Sequence, residues 1–354
     1  MKRLIILTDE DSNFLISMTD LKNYTSMDIS KISAYFLARD FSVDVYKFSD
    51  LDLNDNFLGV YILYQTAETP GSFYKQYIDD LIYFLEKHGA IVMPKHELLK
   101  AHHNKIFMEM MRAKFKDESL KTVKSRCYGS WVDARSYNSD FPVVIKQSSS
   151  AGSAGVYLAR NRKEYNNKIK KAGNVLVASG LIDLFVNYFK KTVKKLIKYL
   201  SPAKLKYLQY DTSPVSRSMV VQTFIEGLNE DCKILIFGRK YYARYRKVRV
   251  NDFRASGSGI SYDVPENEHE GLLNFARKLA AEIDFPIIGL DIGFDGKEYH
   301  LFEFQMIHIG TYPLHSSKFW HEFHDGTWVR YEGESNLEEE FSRAINEYIT
   351  GSLH

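Results

Sequence analysis

Cysteine and net charge are both scarce in this chain of 354 residues. Only two cysteines are present, Cys127 and Cys232, and 47 basic against 45 acidic side chains leave a formal charge of +2. Two cysteines this far apart exclude a disulfide framework and favour a reducing compartment. A charge so close to zero provides no bulk attraction to nucleic acid, so we expect no specific nucleic-acid partner.

Long apolar runs are also lacking. The N-terminal stretch MKRLIILTDEDS is interrupted by acids, which makes it too short for a signal peptide or a membrane span. No later run reaches spanning length, and we therefore expect a cytoplasmic protein. The hydrophobic share of 45% still suffices for the core of two or three domains.

Strand-like and helix-like segments alternate over residues 1–98, which predicts a parallel α/β domain. From residue 99 the pattern changes to helices mixed with hairpins, with turns at Gly238-Arg239 and at Asp295-Gly296. We predict a second domain over residues 99–354. Its lid lobe spans about 118–220 and its other lobe about 221–354.

An apolar strand, EYHLFEFQMIHIG, carries two polar side chains. Glu303 and Gln305 are two residues apart and share one face, together with Leu301. Asp291 lies in the other arm of the same hairpin. Carboxylates and an amide on neighbouring strands suit Mg²⁺. The alternative is a strand-end acid at Asp291 and a salt-bridged Glu303, because the register that brings them together is left open.

The segment SSSAGSAG lies between two predicted strands and is rich in small residues. Its backbone could cradle a phosphate, and Lys146 on the preceding strand could reach the same group. It is not a P-loop, because no Lys-Ser/Thr follows the glycines into a helix. An ordinary hairpin loop is the alternative.

An apolar pair, Phe224-Ile225, comes shortly before Asp231. Such a hinge can hold an adenine edge, and a nearby acid can bind ribose hydroxyls. A basic hairpin follows, and its side chains suit phosphate or carboxylate, unless they form only a solvated face. Its arginines are Arg244, Arg246, Arg249 and Arg254.

The order of these features resembles the ATP-grasp superfamily, and within it the RimK-like and glutathione-synthetase-like ligases. DCKILIFG is similar to their Asp-x-Arg and the strand after it, and YRKVRVNDFRAS to their Glu-Arg…Asp-Phe-Arg-Ser-Asn stretch. GLDI and FEFQ resemble their closing Asp and Glu-x-Asn. The likeness covers about residues 100–306. It implies an α/β protein with α+β lobes, in which a Rossmann-like domain precedes the ATP-grasp fold.

The resemblance also implies a role for each matching residue. The lysines would contact the ATP phosphates, and the small-residue loop would cover these phosphates. The apolar hinge would border the adenine, and Asp231 would bind the ribose. The implied ATP contacts are Lys105, Lys146, Ser149, Ser150, Gly152, Ser153, Gly155, Gln222, Phe224, Ile225 and Asp231. The implied catalytic residues are Arg246, Lys146 and Arg254. Two Mg²⁺ ions, or Mn²⁺, would be held by Asp291, Glu303 and Gln305.

Three departures from the family pattern concern the same region. Gln305 stands in place of Asn, Lys233 in place of Arg, and Tyr245 in place of an acid.

The implied reaction joins a carboxylate to an amine through an acyl phosphate and releases ADP and phosphate. Its substrates would be small molecules, glycans or peptides. A phosphotransferase and a non-catalytic nucleotide-binding regulator are the alternatives, and the retained acids and lysines argue against the second.

Two further segments have other expectations attached. Residues 185–200 predict an amphipathic helix whose lysines form a solvated face or, alternatively, contact an anionic membrane or another polyanion. The His- and aromatic-rich segment 308–328 has no zinc pattern and is expected to cover the metal strand. The sequence is compatible with an oligomer and does not specify the oligomeric state.

Overall fold

The computed structural model describes residues 1–17, 24–66, 73–150, 155–173, 217–248 and 260–352. The strands are β1 (Lys2–Thr8), β2 (Leu15–Ser17), β3 (Tyr24–Ser26), β4 (Phe41–Lys47), β5 (Tyr61–Tyr64), β6 (Ile91–Met93), β7 (Ser125–Tyr128), β8 (Val143–Gln147), β9 (Val156–Ala159), β10 (Met219–Thr223), β11 (Glu230–Phe237), β12 (Lys240–Lys247), β13 (Ser261–Asp263), β14 (Ile287–Phe294), β15 (Tyr299–Gln305), β16 (Phe319–His324) and β17 (Thr327–Glu332). The helices are α1 (Ile29–Leu37), α2 (Phe73–Lys87), α3 (His96–His103), α4 (Lys105–Ala113), α5 (Trp131–Ala134), α6 (Arg162–Gly173), α7 (His269–Ile283), α8 (Tyr312–Ser316) and α9 (Leu337–Thr350).

The chain divides into two compact units. Unit 1 comprises residues 1–124, 149–154 and 225–354, and unit 2 comprises residues 125–148 and 155–224. The predicted boundary after residue 98 stays a prediction. Within the described ranges, no helix is both long and apolar enough to cross a bilayer.

Unit 1 begins with a four-stranded parallel sheet, as the sequence predicts for residues 1–98. The strand order is β4-β1-β5-β6, and every neighbouring pair is parallel. Leu4, Ile5, Ile6 and Leu7 on β1 are all completely buried, which is usual for a central parallel strand covered on both faces.

The same unit carries a larger antiparallel sheet, in the order β15-β14-β11-β12-β16-β17 with β13 also paired to β12. Both predicted hairpins are present in it, β11–β12 and β14–β15. The hairpin β16–β17 extends the sheet beyond β12, at the opposite edge from β15. The expectation that the His- and aromatic-rich segment covers the metal strand is therefore wrong for this hairpin.

The two sheets of unit 1 are joined by a continuous hydrophobic core. It includes Leu4 and Phe36 from the first sheet and its helix, and Leu290 and Ala344 from the C-terminal part. The rings of Phe14 and Phe341 meet edge to face at 5.8 Å. The N-terminal α/β domain and the large sheet are thus packed as one body.

Unit 2 is a four-stranded antiparallel sheet, β7-β10-β8-β9, with α5 and α6 packed on it. Its core places Ile145 and Val221 of the sheet with Tyr165 and Ile169 of α6. The basic helix predicted over residues 185–200 lies outside the described residues, so its membrane contact stays a prediction.

The turn between β14 and β15 depends on a glycine. Gly296 has φ +91°, and a Cβ added there would meet nothing within 4 Å. Gly296→Ala should therefore act through backbone strain alone and cost about 1–2 kcal/mol of stability. Gly296→Asn should cost less, because Asn tolerates positive φ better. Thermal unfolding of both variants tests this, and equal melting temperatures for Ala and wild type would contradict it.

Candidate nucleotide and metal site

One face of the large sheet carries charged side chains across four neighbouring strands. Arg246 on β12 is paired with Asp231 on β11, and Lys233 on β11 with Asp291 on β14. Asp291 is in turn paired with Glu303 on β15. Paired residues of antiparallel strands point to the same face, as do residues two apart. The register thus brings all five side chains, hereafter the charged row, to one face.

A bulge interrupts β15 just before Glu303. Asp291 is paired with Glu303, but the next residue, Ile292, is paired with Leu301, so Phe302 is an extra residue. Leu301 therefore shares the face of Ile292 and not that of Glu303. The expectation that Leu301 lies beside Glu303 is wrong, because a bulge resets the two-residue alternation.

Arg246 bridges two carboxylates. Its Nε and Nη2 donate to Oδ1 and Oδ2 of Asp231 at 2.7 and 2.8 Å, and Nη2 lies 3.1 Å from Oδ1 of Asp291. Burial lowers the pKa of Arg246, but Asp291 and Asp231 outweigh it, and the net shift is upward. The guanidinium therefore stays charged. Both oxygens of Asp231 accept from it, while the ribose contact of Asp231 stays a prediction.

Lys233 provides a second cation beside Asp291. Its Nζ lies 3.2 Å from Asp291 Oδ1, and its side chain is 10% exposed. Gly289 leaves room for it, because a Cβ there would lie 3.1 Å from Nζ and 2.9 Å from the carbonyl oxygen of Ile309. Although Lys233 lacks the fork of an arginine, it keeps a positive charge at this position.

Asp291 is an ionised acid. Burial raises the pKa of Asp291, but Arg246 and Lys233 outweigh the burial and lower it to about 2. The carboxylate therefore stays charged at neutral pH.

Glu303 is contacted by an amide and by an ammonium group. Gln305 Nε2 donates to Glu303 Oε1 at 3.0 Å, and Lys105 Nζ lies 3.8 Å from the same oxygen. Lys105 is the first residue of α4, which begins at the N-cap Asn104. The lysine also donates to the carbonyl oxygen of Ser150, which belongs to the same unit.

These residues fit a divalent cation. Asp291 and Glu303 face each other on adjacent strands, and Gln305 lies beside Glu303. Two carboxylates and an amide oxygen are the hard oxygen donors that Mg²⁺ takes in proteins. Glu303 remains 26% exposed, so a ligand can approach it.

The predicted site residues of unit 2 lie on its central strands and loop. Lys146 is on β8 and the buried Gln222 is on β10, with Phe224 just beyond. Gly155 has φ +70°, and a Cβ there would come within 2.3 Å of the Gln147 side chain. Only glycine therefore fits at the end of the loop without displacing Gln147.

The structure describes only some of the remaining candidate residues. Ser149 and Ser150 are described and belong to unit 1, as does Ile225. Gly152, Ser153 and Arg254 lie outside the described residues. Lys105, Asp231, Arg246 and the three metal candidates are thus the predicted residues that the structure brings together.

Sequence reasoning missed two residues behind this site. Glu109 and Arg112 on α4 form a buried ion pair, with Arg112 Nη1 3.5 Å from Glu109 Oε2. Both side chains are 3% exposed. Lys105, Glu109 and Arg112 are spaced so that they share one face of the helix. This spacing was the signal in the sequence, because charged residues rarely line the buried face of a helix.

Comparison with known proteins rests on structure alone, because no family profile and no curated sequence matches the chain. The chain is similar to the crystal structure of D-cycloserine synthetase, with a TM-score of 0.53 at 9% sequence identity. The match covers 99% of this chain and 100% of that one. Similarity to a RiPP-associated ATP-grasp ligase from Chryseobacterium gregarium, solved with ADP and with a leader and core peptide, has a TM-score of 0.50 at 12% identity. It covers 99% and 97% of the two chains. The ATP-grasp fold that the sequence predicts is confirmed, while the Rossmann-like character of the domain before it stays a prediction.

The charge of Asp291 should make stability depend on pH. Asp291→Asn leaves Arg246 and Lys233 without this carboxylate, which should cost on the order of 3 kcal/mol at pH 7. Because the folded-state pKa of Asp291 is depressed to about 2, the wild-type advantage should be complete above about pH 4 and disappear as pH falls towards 2. Melting temperatures of both proteins from pH 7 to pH 2.5 measure it. A pH-independent difference would contradict the ion pairing.

Proposed function

We propose, from the premise that this chain has the ATP-grasp fold, that it is an ATP- and Mg²⁺-dependent ligase that joins a carboxylate to an amine. The observation that supports the proposal is the charged row, in which Asp291 faces Glu303 across adjacent strands. Lys105 and Arg246 contact these two acids from either side. Carboxylates for a metal and cations for phosphate are thus assembled in one place.

The proposed reaction would use this arrangement of charge. An oxygen of the substrate carboxylate attacks the γ-phosphorus of ATP, the bond to the β-phosphate oxygen breaks, and ADP leaves. The amine nitrogen then attacks the acyl carbon, phosphate departs with the bonding electron pair, and the nitrogen loses a proton. Mg²⁺ held by Asp291, Glu303 and Gln305 would supply neutralisation of the phosphate charge.

The protein residues contribute position and electrostatics in this proposal. Lys105 and Lys146 would bind the ATP phosphates, and Arg246 would hold the transferred phosphoryl group while Asp231 fixes its guanidinium plane. The small-residue loop would exclude water when nucleotide binds. An intermediate formed on the substrate needs no covalent attachment to a protein side chain. A cytoplasmic location, with its supply of ATP, belongs to the same proposal.

Hydroxylamine tests the acyl phosphate directly. We expect the protein, ATP, Mg²⁺, hydroxylamine and a pool of amino acids and short peptides to yield a hydroxamate with ADP and phosphate. Glu303→Ala should reduce hydroxamate formation at least 100-fold, because the metal would lose its central ligand. Glu298→Ala, which removes an exposed acid from the same hairpin, should leave it unchanged. Mass spectrometry and nucleotide chromatography provide the measurement.

Three results would contradict the proposal. A stable phosphorylated product without hydroxamate would identify a phosphotransferase. AMP and pyrophosphate would indicate an acyl-adenylate instead of an acyl phosphate. Wild-type-like turnover in Glu303→Ala would remove the metal assignment.

A further inference from the structure

Helix α4 turns charged side chains toward the interior of unit 1 and a methionine toward solvent. Its buried residues are Lys105, Met108, Glu109 and Arg112, which share one helical face, while Met110 is 53% exposed. A helix that only fills a core has the opposite arrangement. The inward charges therefore need an explanation in the residues that they contact.

Arg112 carries a buried charge with a specific backbone target. Its Nη2 donates to the carbonyl oxygen of Phe302 at 3.2 Å, and its Nη1 lies 3.5 Å from Glu109. Within the described part of the chain, Nε and the remaining capacity of Nη1 find no hydrogen-bond acceptor. Burying a guanidinium whose nitrogens are only partly paired costs free energy. The hydrogen bond from Arg112 to Phe302 is therefore a specific buried contact and not an ion pair in solvent.

Phe302 is the extra residue of the bulge that comes immediately before Glu303. A bulge takes a residue out of the regular ladder and bends the strand at that point. Its backbone polar groups then need partners from elsewhere. Arg112 supplies a donor to the Phe302 carbonyl at the position where the chain turns the Glu303 carboxylate toward Asp291.

We propose that Arg112, held by Glu109, is a positioning residue that fixes this bulge and thereby aims the Glu303 carboxylate at the metal position. The inference rests on the proposed function, because it gives Glu303 the role of a metal ligand. Lys105 lies seven residues earlier on the same helical face, 3.8 Å from Glu303. One rigid helix thus sets the bulge, the acid and a phosphate-binding lysine together.

A matched arrangement elsewhere in unit 1 provides the control. Arg343 on α9 donates its Nη2 to the carbonyl oxygen of Phe237 at 2.8 Å and pairs with Glu340, three residues before it. This repeats the spacing of Glu109 and Arg112, but Phe237 is at the far end of β11 from the charged row. Removing either pair removes a helix-to-strand contact without changing the net charge, and Arg343, whose side chain is 22% exposed, additionally pairs with Glu347.

The experiment measures Mn²⁺ binding to intact protein with a saturating non-hydrolysable ATP analogue. Free Mn²⁺ is followed by electron paramagnetic resonance, with the nucleotide alone as the baseline. We expect the double variant Glu109→Gln, Arg112→Met to weaken the Mn²⁺ affinity at least tenfold. The double variant Glu340→Gln, Arg343→Met should lower the melting temperature and leave the Mn²⁺ affinity within twofold of wild type.

The outcomes separate the inference from the proposed function. If wild type binds Mn²⁺ and the Arg112 double variant binds it equally well, Arg112 is a structural residue only and the inference is overturned. If wild type itself binds no Mn²⁺ beyond the nucleotide baseline, the proposed function fails and the inference with it. Should the double variant not fold, Arg112→Lys decides, because lysine lacks the two separate guanidinium nitrogens through which Arg112 contacts Phe302 and Glu109. An at least threefold weaker affinity supports the inference, and an unchanged affinity overturns it.

Discussion

The site depends on placing three carboxylates beside cations on one largely buried face of a sheet. Asp231, Asp291 and Glu303 lie on adjacent strands. Burial raises the pKa of Asp231, whereas at Asp291 the neighbouring Arg246 and Lys233 outweigh burial and lower the pKa to about 2. Each is matched by a cation that a neighbouring element supplies. Arg246 and Lys233 come from the sheet itself, and Lys105 comes from α4. The balance of charge exists before any ligand binds.

The rest of unit 1 packs against these strands and supports the charged side chains. The opposite face of the strands packs into the core through residues such as Cys232, Leu290 and Phe304, all completely buried. Gly289 admits the ammonium of Lys233 between the strand and Ile309. A site that uses electrostatics more than covalent chemistry needs such preorganisation, because misplaced charges would have to reorganise during the reaction.

Local patterns in the sequence predicted much of this and failed where distant contacts decide. The turn signals at Gly238 and Asp295-Gly296 are read from a few adjacent residues, and both hairpins are present. The pairing of Asp291 with Glu303 depends on register, which a hairpin sequence leaves open. The sequence also leaves the bulge at Phe302 open, and this bulge places Leu301 on the face opposite to Glu303.

The inward charges of α4 and the position of β16–β17 were missed for a related cause. Glu109 and Arg112 look like surface residues by type, and only their packing against β15 makes them interior ones. The segment after residue 308 has strand-forming aromatics, but its partner strand, β12, lies more than sixty residues earlier in the chain. The first contact leaves only the spacing of Lys105, Glu109 and Arg112 on one helical face as a local signal, and the second leaves none in composition or periodicity.

In the function proposed above, the charged row binds a metal together with nucleotide. Electron–nuclear double resonance of Mn²⁺ bound to the protein with ADP measures this most directly, through the coupling of the ion to ³¹P. We expect a ³¹P coupling in the wild-type complex that differs from that of free Mn²⁺–ADP, and we expect this difference to be lost in Glu303→Ala. A spectrum that is identical to free Mn²⁺–ADP, or that survives unchanged in Glu303→Ala, would contradict it.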